Sequence, residues 1–156
     1  MKIYLVRHGD AVPEEDAGTD RDRWLSARGR EHARILARLM REQRVEPDAI
    51  LCSPLPRAVQ TAELLATGLD YIGQVVATRG LEPGAQPRVA AEILAQVGEA
   101  VLVVSHEPTI SALGAFLLGR STFPPFRTAQ CFAIEQRAPT WCARPDIDSV
   151  QAYFVD

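Results

Sequence analysis

Apolar and polar positions alternate along the chain between two rhythms. Short apolar runs at Lys2–Arg7, Ala49–Cys52 and Ala100–Ser105 read as buried strands. Between them, apolar residues recur at helical spacing. Ser26 can N-cap a helix running to about Gln43, with Ala33, Leu36, Leu39 and Met40 on one face. Ser53 is expected to cap a second helix, with Pro54 at its first position, where a missing N–H costs nothing. Leu55, Val59, Ala62 and Leu65 form its stripe, and Gly68 stops it. Gly9–Trp24 reads as a polar loop, and Tyr71–Ala77 as a third strand weakened by Gly73. Helices are predicted over Pro87–Gln96 and Pro108–Leu118, the latter with Ile110, Leu113 and Leu117 inward and Gly119 at its end. Gln130–Glu135 and Thr140–Ala143 read as two short strands before an irregular tail.

Strand–helix alternation of this kind predicts an α/β fold, a three-layer α/β/α sandwich. Its sheet should be mainly parallel, with the last strands adding an antiparallel edge. With 156 residues and no repeat or linker, one domain over 1–156 is expected. Ligands of such sheets bind beyond the carboxyl ends of the strands. The residues to inspect are therefore Arg7-His8-Gly9, Ser53 to Arg57, and Ser105-His106-Glu107. His32, between Arg30 and Arg34 in a helix, reads as a surface residue.

Composition narrows the chemistry. Seventeen basic against twenty acidic residues give a net charge of −3, so no basic footprint for nucleic acid is present. Lys2 is the only lysine, which excludes a Gly-rich phosphate loop ending in Gly-Lys-Ser/Thr. Cys52, Cys131 and Cys142 form no CxxC pair, as expected of a reduced cytoplasmic chain without a zinc site. Only Ile3 to Val6 are apolar before Arg7, so neither a secretory signal nor a membrane span is expected.

Arg57 lies in the first turn of a helix, where the dipole favours anions rather than cations. An anion held between its guanidinium and the free backbone N–H groups resolves that conflict. The three strand ends together offer two guanidiniums and two imidazoles. Arginine matches phosphate oxygens bidentately, and a neutral imidazole nitrogen can attack phosphorus. Phosphoryl transfer needs little beyond positioning and charge neutralisation, so a pocket rich in cations implies no metal and no cofactor. The acidic segment Glu14, Glu15, Asp16, Asp20, Asp22 reads as a solvated connection, or as a rim touching a protein substrate. Asp20-Arg21-Asp22 follows no strand and lacks the threonine of an aspartyl-phosphate motif.

Leu5-Val6-Arg7-His8-Gly9, Ser53-Pro54-Leu55-Pro56-Arg57-Ala58-Val59-Gln60-Thr61-Ala62 and Val104-Ser105-His106-Glu107-Pro108 resemble the histidine phosphatase superfamily, of phosphoglycerate mutase-like fold. Arg7 to Ala11, the Leu25 to Gly29 segment and the short length are similar to the SixA-type phosphohistidine phosphatases within it. The resemblance implies that His8 is the phosphorylated nucleophile, and that Arg7, Arg57 and His106 hold the phosphate. Arg21 is a further candidate for substrate binding. Glu82, in Leu81-Glu82-Pro83-Gly84, is a candidate general acid, set one residue early for the mutase pattern. The implied substrate is phosphohistidine on a phosphotransfer protein of a two-component relay, handled by a monomer without membrane or nucleic acid.

Two readings within this frame are a general phosphomonoesterase acting on small phosphorylated metabolites and a non-catalytic phosphate-binding module. A cysteine phosphatase built on Cys52 and Arg57 is excluded. Ser53, Pro54, Leu55 and Pro56 separate them, one residue too few, and the prolines lack N–H groups.

Overall fold

The computed structural model describes residues 1–152. Each parallel strand begins where an apolar run meets the sheet: β1 (Lys2–Arg7), β2 (Ala49–Cys52), β3 (Val75–Ala77) and β4 (Ala100–Ser105). Three antiparallel strands follow, β5 (Cys131–Glu135), β6 (Ala138–Arg144) and β7 (Ser149–Ala152). They form one seven-stranded sheet of order β3-β2-β4-β1-β5-β6-β7. The parallel core and antiparallel edge match the sequence reading.

Side chains alternate across the pleat and bury into two apolar layers. On one side, Tyr4, Val6, Ile50, Cys52, Leu102 and Val104 pack against α2 (Ala27–Glu42) and α3 (Pro56–Gly68). On the other, Ile3, Leu5, Leu51, Val101 and Val103 meet α4 (Pro87–Leu94) and α5 (Thr109–Leu118). The chain therefore leaves β1 toward one face and β4, its neighbour, toward the other. The crevice between those two strand ends is where an open α/β sheet accepts a ligand.

Four local expectations change. The Gly9–Trp24 loop holds a four-residue helix, α1 (Glu14–Ala17). The third strand shrinks to Val75–Ala77, as expected of an edge strand paired on one side only. The tail, expected to be irregular, contributes β7 antiparallel to β6. Finally, α3 starts at Pro56 with Leu55 as N-cap, not at Pro54 after Ser53. Either proline fits a first helical turn, and the Ser53 hydroxyl has a different partner. Among the described residues, no helix is long and apolar enough to cross a membrane.

Candidate active site

In the β1–β4 register Arg7 lies beside Ser105, and in the β2–β4 register Cys52 lies beside Val104. The residues that follow, His8, His106 and Ser53, consequently emerge together. A cavity of about 380 Å³ opens there, lined by Arg7, His8, Arg57 and His106 with Asp10, Asp20, Arg23, Pro83, Glu107 and Thr128. A larger cleft of about 640 Å³ lies at the other end of β2, around Arg44, Pro47, Asp48 and Tyr71. It holds none of the residues picked out above.

His8 is 7% exposed, and its Nδ1 lies 2.7 Å from the Gly9 carbonyl oxygen. A carbonyl only accepts, so Nδ1 carries the proton and Nε2 keeps its lone pair, toward which the Arg57 Nε–H donates at 3.4 Å. Burial, together with the nearby Arg57, Arg7 and Arg23 charges, pulls the His8 pKa from 6.5 down to about 4, against the Gly9 bond that raises it. The ring is neutral near pH 7, as a nucleophile must be. Gly9 is fixed in turn: its N–H donates to Thr61 Oγ1 at 3.0 Å, and that hydroxyl donates to the Arg57 carbonyl at 2.8 Å. Close packing also holds this turn, because a Cβ on Gly29 would lie 2.0 Å from the Asp10 carbonyl oxygen. Only glycine fits that crossing.

Arg57, 5% exposed, points back from the first turn of α3, its Nε 3.4 Å from His8 Nε2. Its Nη1 donates to the Asp20 carbonyl at 2.7 Å and its Nη2 to the Asp20 carboxylate at 3.3 Å. Arg7 donates from Nη1 to the Phe126 carbonyl at 2.9 Å, leaving its buried Nε without a partner. That carbonyl is held in place by Phe126 packing on Phe123 and Phe132, at ring-centroid distances of 5.7 and 4.7 Å. His106 is 2% exposed, its ring 5.0 Å from that of His8. Burial, then His8 and Arg57, pull its pKa down to about 3, with Arg7 adding to them and Asp20 opposing.

Among the described residues, the buried side-chain polar atoms without a partner are Arg7 Nε, His106 Nδ1 and Glu107 Oε1, all on residues lining this one cavity. Unpaired buried polar atoms are costly, and their concentration here marks a site prepared for a ligand. Two of these three belong to groups suited to an anion.

Two expectations shift. Arg21 is 65% exposed, lies outside the cavity lining and pairs with Glu82 at 3.4 Å. Glu82, 26% exposed, is likewise outside the lining, while its neighbour Pro83 is inside it. Arg23 takes the place foreseen for Arg21. Its Nε donates to the Val12 carbonyl at 2.7 Å and its Nη1 to Asp20 at 3.1 Å. The sequence signal was local: Arg23 precedes Trp24-Leu25, and Leu25 bridges Ala11 just beyond the His8 turn. Asp20 belongs to the acidic segment, and only the fold carries it onto Arg57. Cys52 is fully buried, and burial raises its thiol to about 11, so it is no nucleophile near neutral pH. Among the described residues, no group of three or more His, Cys, Asp or Glu could hold a metal ion.

Fold and site converge on phosphate-handling enzymes built around a strand-end histidine, and the chain belongs to the histidine phosphatase superfamily. The model of that family's branch 1 matches residues 3–82. The phosphohistidine phosphatase SixA of Escherichia coli is 35% identical over 133 residues, covering 83% of this chain and 81% of that protein. The structure of the protein histidine phosphatase SixA complexed with tungstate superposes with a TM-score of 0.87 at 28% identity, covering 96% of this chain and all of that one. The alpha-ribazole phosphatase of Shigella flexneri shares the fold, with a TM-score of 0.67 at 22% identity over 90% of this chain and 94% of that one.

Proposed function

We propose that this protein is a metal-independent phosphatase that cleaves phosphohistidine through a phosphorylated His8. The observation that carries this reading is the Nδ1–Gly9 contact, which leaves His8 Nε2 unprotonated beside the buried Arg57 guanidinium. The Nε2 lone pair forms a bond to phosphorus as the P–N bond of the substrate breaks, its electron pair leaving with the substrate imidazole. Water then attacks phosphorus, phosphate departs, and His8 is restored. Arg7 and Arg57 neutralise charge on the equatorial oxygens in both steps, and His106 donates a hydrogen bond to them.

An imidazole leaves near its own pKa of ~6.5 and needs little help from an acid, unlike an alkoxide. Glu82, tied to Arg21 outside the cavity, fits that economy better than it fits esterase chemistry. The finer reading is that the substrate is presented by a phosphotransfer protein of a two-component relay in the cytoplasm, to a monomeric enzyme of one domain. The SixA relative, a phosphohistidine phosphatase by name, supports phosphohistidine as the group cleaved.

Turnover of a phosphohistidine protein should be compared with that of a panel of aryl and alkyl phosphates, with and without EDTA. Rapid quench should trap one acid-labile phosphoryl group per chain on His8. Faster alkyl phosphate hydrolysis would favour the metabolite esterase, and binding without trapped phosphate would favour a non-catalytic module.

A further inference from the structure

Ser53 is fully buried and caps no helix. Its Oγ accepts from the Leu55 N–H at 3.3 Å and lies 2.8 Å from His106 Nε2. The other ring nitrogen of His106, Nδ1, is buried and without a partner, on a residue that lines the cavity. A hydroxyl has one hydrogen to give, and a neutral imidazole has one nitrogen that donates and one that accepts.

We propose that Ser53 is a positioning residue whose hydroxyl fixes the tautomer of His106, so that the ring proton sits on Nδ1 and is offered to the transferring phosphoryl group. With Ser53 O–H donating to Nε2, both buried groups are satisfied and Nδ1–H is free for a ligand. The reverse arrangement, with Nε2–H donating to Oγ, would strand the buried hydroxyl hydrogen. It would also turn a bare nitrogen lone pair toward an anion, which repels it. Tautomer matters here because the ring does not gain a second proton easily. Burial, then its coupling to His8 and the charges of Arg57 and Arg7, disfavour a second proton, opposed by Asp20. A neutral imidazole in the wrong tautomer is no donor at all. In the right one it supplies a preorganised N–H, the kind of group whose loss costs a phosphoryl or acyl transfer site about 10²–10³ in rate.

The chemical use of this N–H rests on the phosphatase reading, whereas the tautomer can be tested without it. In ¹⁵N-labelled protein at pH 7, long-range ¹H–¹⁵N correlations report which ring nitrogen is protonated. His106 is assigned by difference from the His8→Asn and His32→Asn spectra. The expected wild-type spectrum has Nδ1 protonated and Nε2 bare, and in Ser53→Ala both nitrogens move toward a common averaged shift. Ser53→Thr, which keeps the hydroxyl, should return the wild-type pattern. A wild-type ring protonated on Nε2 overturns the proposal outright, even if Ser53→Ala does not fold. So does an unchanged pattern in Ser53→Ala. Kinetically, Ser53→Ala should lower kcat for an aryl phosphate by roughly 10–10²-fold, short of the loss of a whole donor, with KM within about twofold. A raised KM at unchanged kcat contradicts a transition-state role. If no substrate is turned over, the phosphatase reading fails while the spectrum still decides the tautomer.

Discussion

Arg57 and Asp20 are joined at two points, through the loop residue's carbonyl at 2.7 Å and its carboxylate at 3.3 Å. The guanidinium side chain is 6% exposed and the carboxylate 57%, so a wet, movable anion rests on a buried, fixed cation. In the proposed reaction the same guanidinium grips the phosphoryl group. The carboxylate then competes with substrate for Arg57. An exposed ion pair is worth about 0–1 kcal/mol, less than a dianion gathers from several donors at once. Asp20→Asn should therefore lower the Ki of inorganic phosphate by about two- to fivefold, read as competitive inhibition of aryl phosphate hydrolysis. A weaker Ki would mean that Asp20 serves binding by orienting Arg57.

His8→Ala should abolish both turnover and phosphoenzyme while leaving the unfolding midpoint nearly unchanged, because the ring faces a cavity rather than the apolar layers. Trapped phosphate on another residue of the wild type would move the nucleophile. Arg7→Ala and Arg57→Ala should each cost roughly 10²–10³ in rate, as expected for removing one preorganised donor. Both variants should still trap some phosphoenzyme in single-turnover experiments.

The sheet was legible wherever burial on two faces forces an unbroken apolar run, as in Leu5-Val6 and Val101 to Val104. α2 was legible because Ser26 accepts from the Gly29 N–H as a cap should. Legibility failed where local rules allow two answers. Ser53-Pro54-Leu55-Pro56 offers two prolines for one helix start, and the tertiary bond from Ser53 to His106 decides between them. Ser149–Ala152 lacks a β-branched run, and its pairing with β6 makes it a strand. Arg7, His8 and His106 could be picked from sequence because each sits at a strand end, and Arg57 because it opens the helix that follows one. Arg21 and Arg23 lie on one loop, and spacing does not choose between them. Arg23 reaches the cavity because Val12 and Trp24 pair across the base of that loop.

Glu82 provides a sharp contrast between leaving groups. Its carboxylate accepts from Arg21 Nη2 at 3.4 Å beyond the cavity lining. Glu82→Gln should change phosphohistidine turnover by less than about threefold, far below the ~10²–10⁴ of a working general acid. Alkyl phosphates such as glycerol phosphate should be poor substrates of both forms. Fast alkyl phosphate hydrolysis that disappears in Glu82→Gln would assign the acid role to this residue.

The two buried histidines should also set how the fold responds to acid. His8 titrates near 6.5 when unfolded and near 4 when folded, so between these values the unfolded chain holds a proton that the folded chain does not. Stability therefore rises with pH across this window. It is fully present above about 6.5 and is lost as pH falls toward about 4, at up to ~1.4 kcal/mol per pH unit for one group. Over the whole window His8 accounts for at most about 3 kcal/mol. His106, lowered further to about 3, acts in the same direction and over a longer range. Urea unfolding at pH 7 and pH 4.5, without phosphate, should show a smaller loss of stability in His8→Asn than in the wild type. The carboxylates common to both proteins contribute equally and cancel in the difference. Equal losses would mean that His8 takes up its proton in the folded state as readily as in the unfolded chain, and would overturn the downward shift that burial gives its pKa.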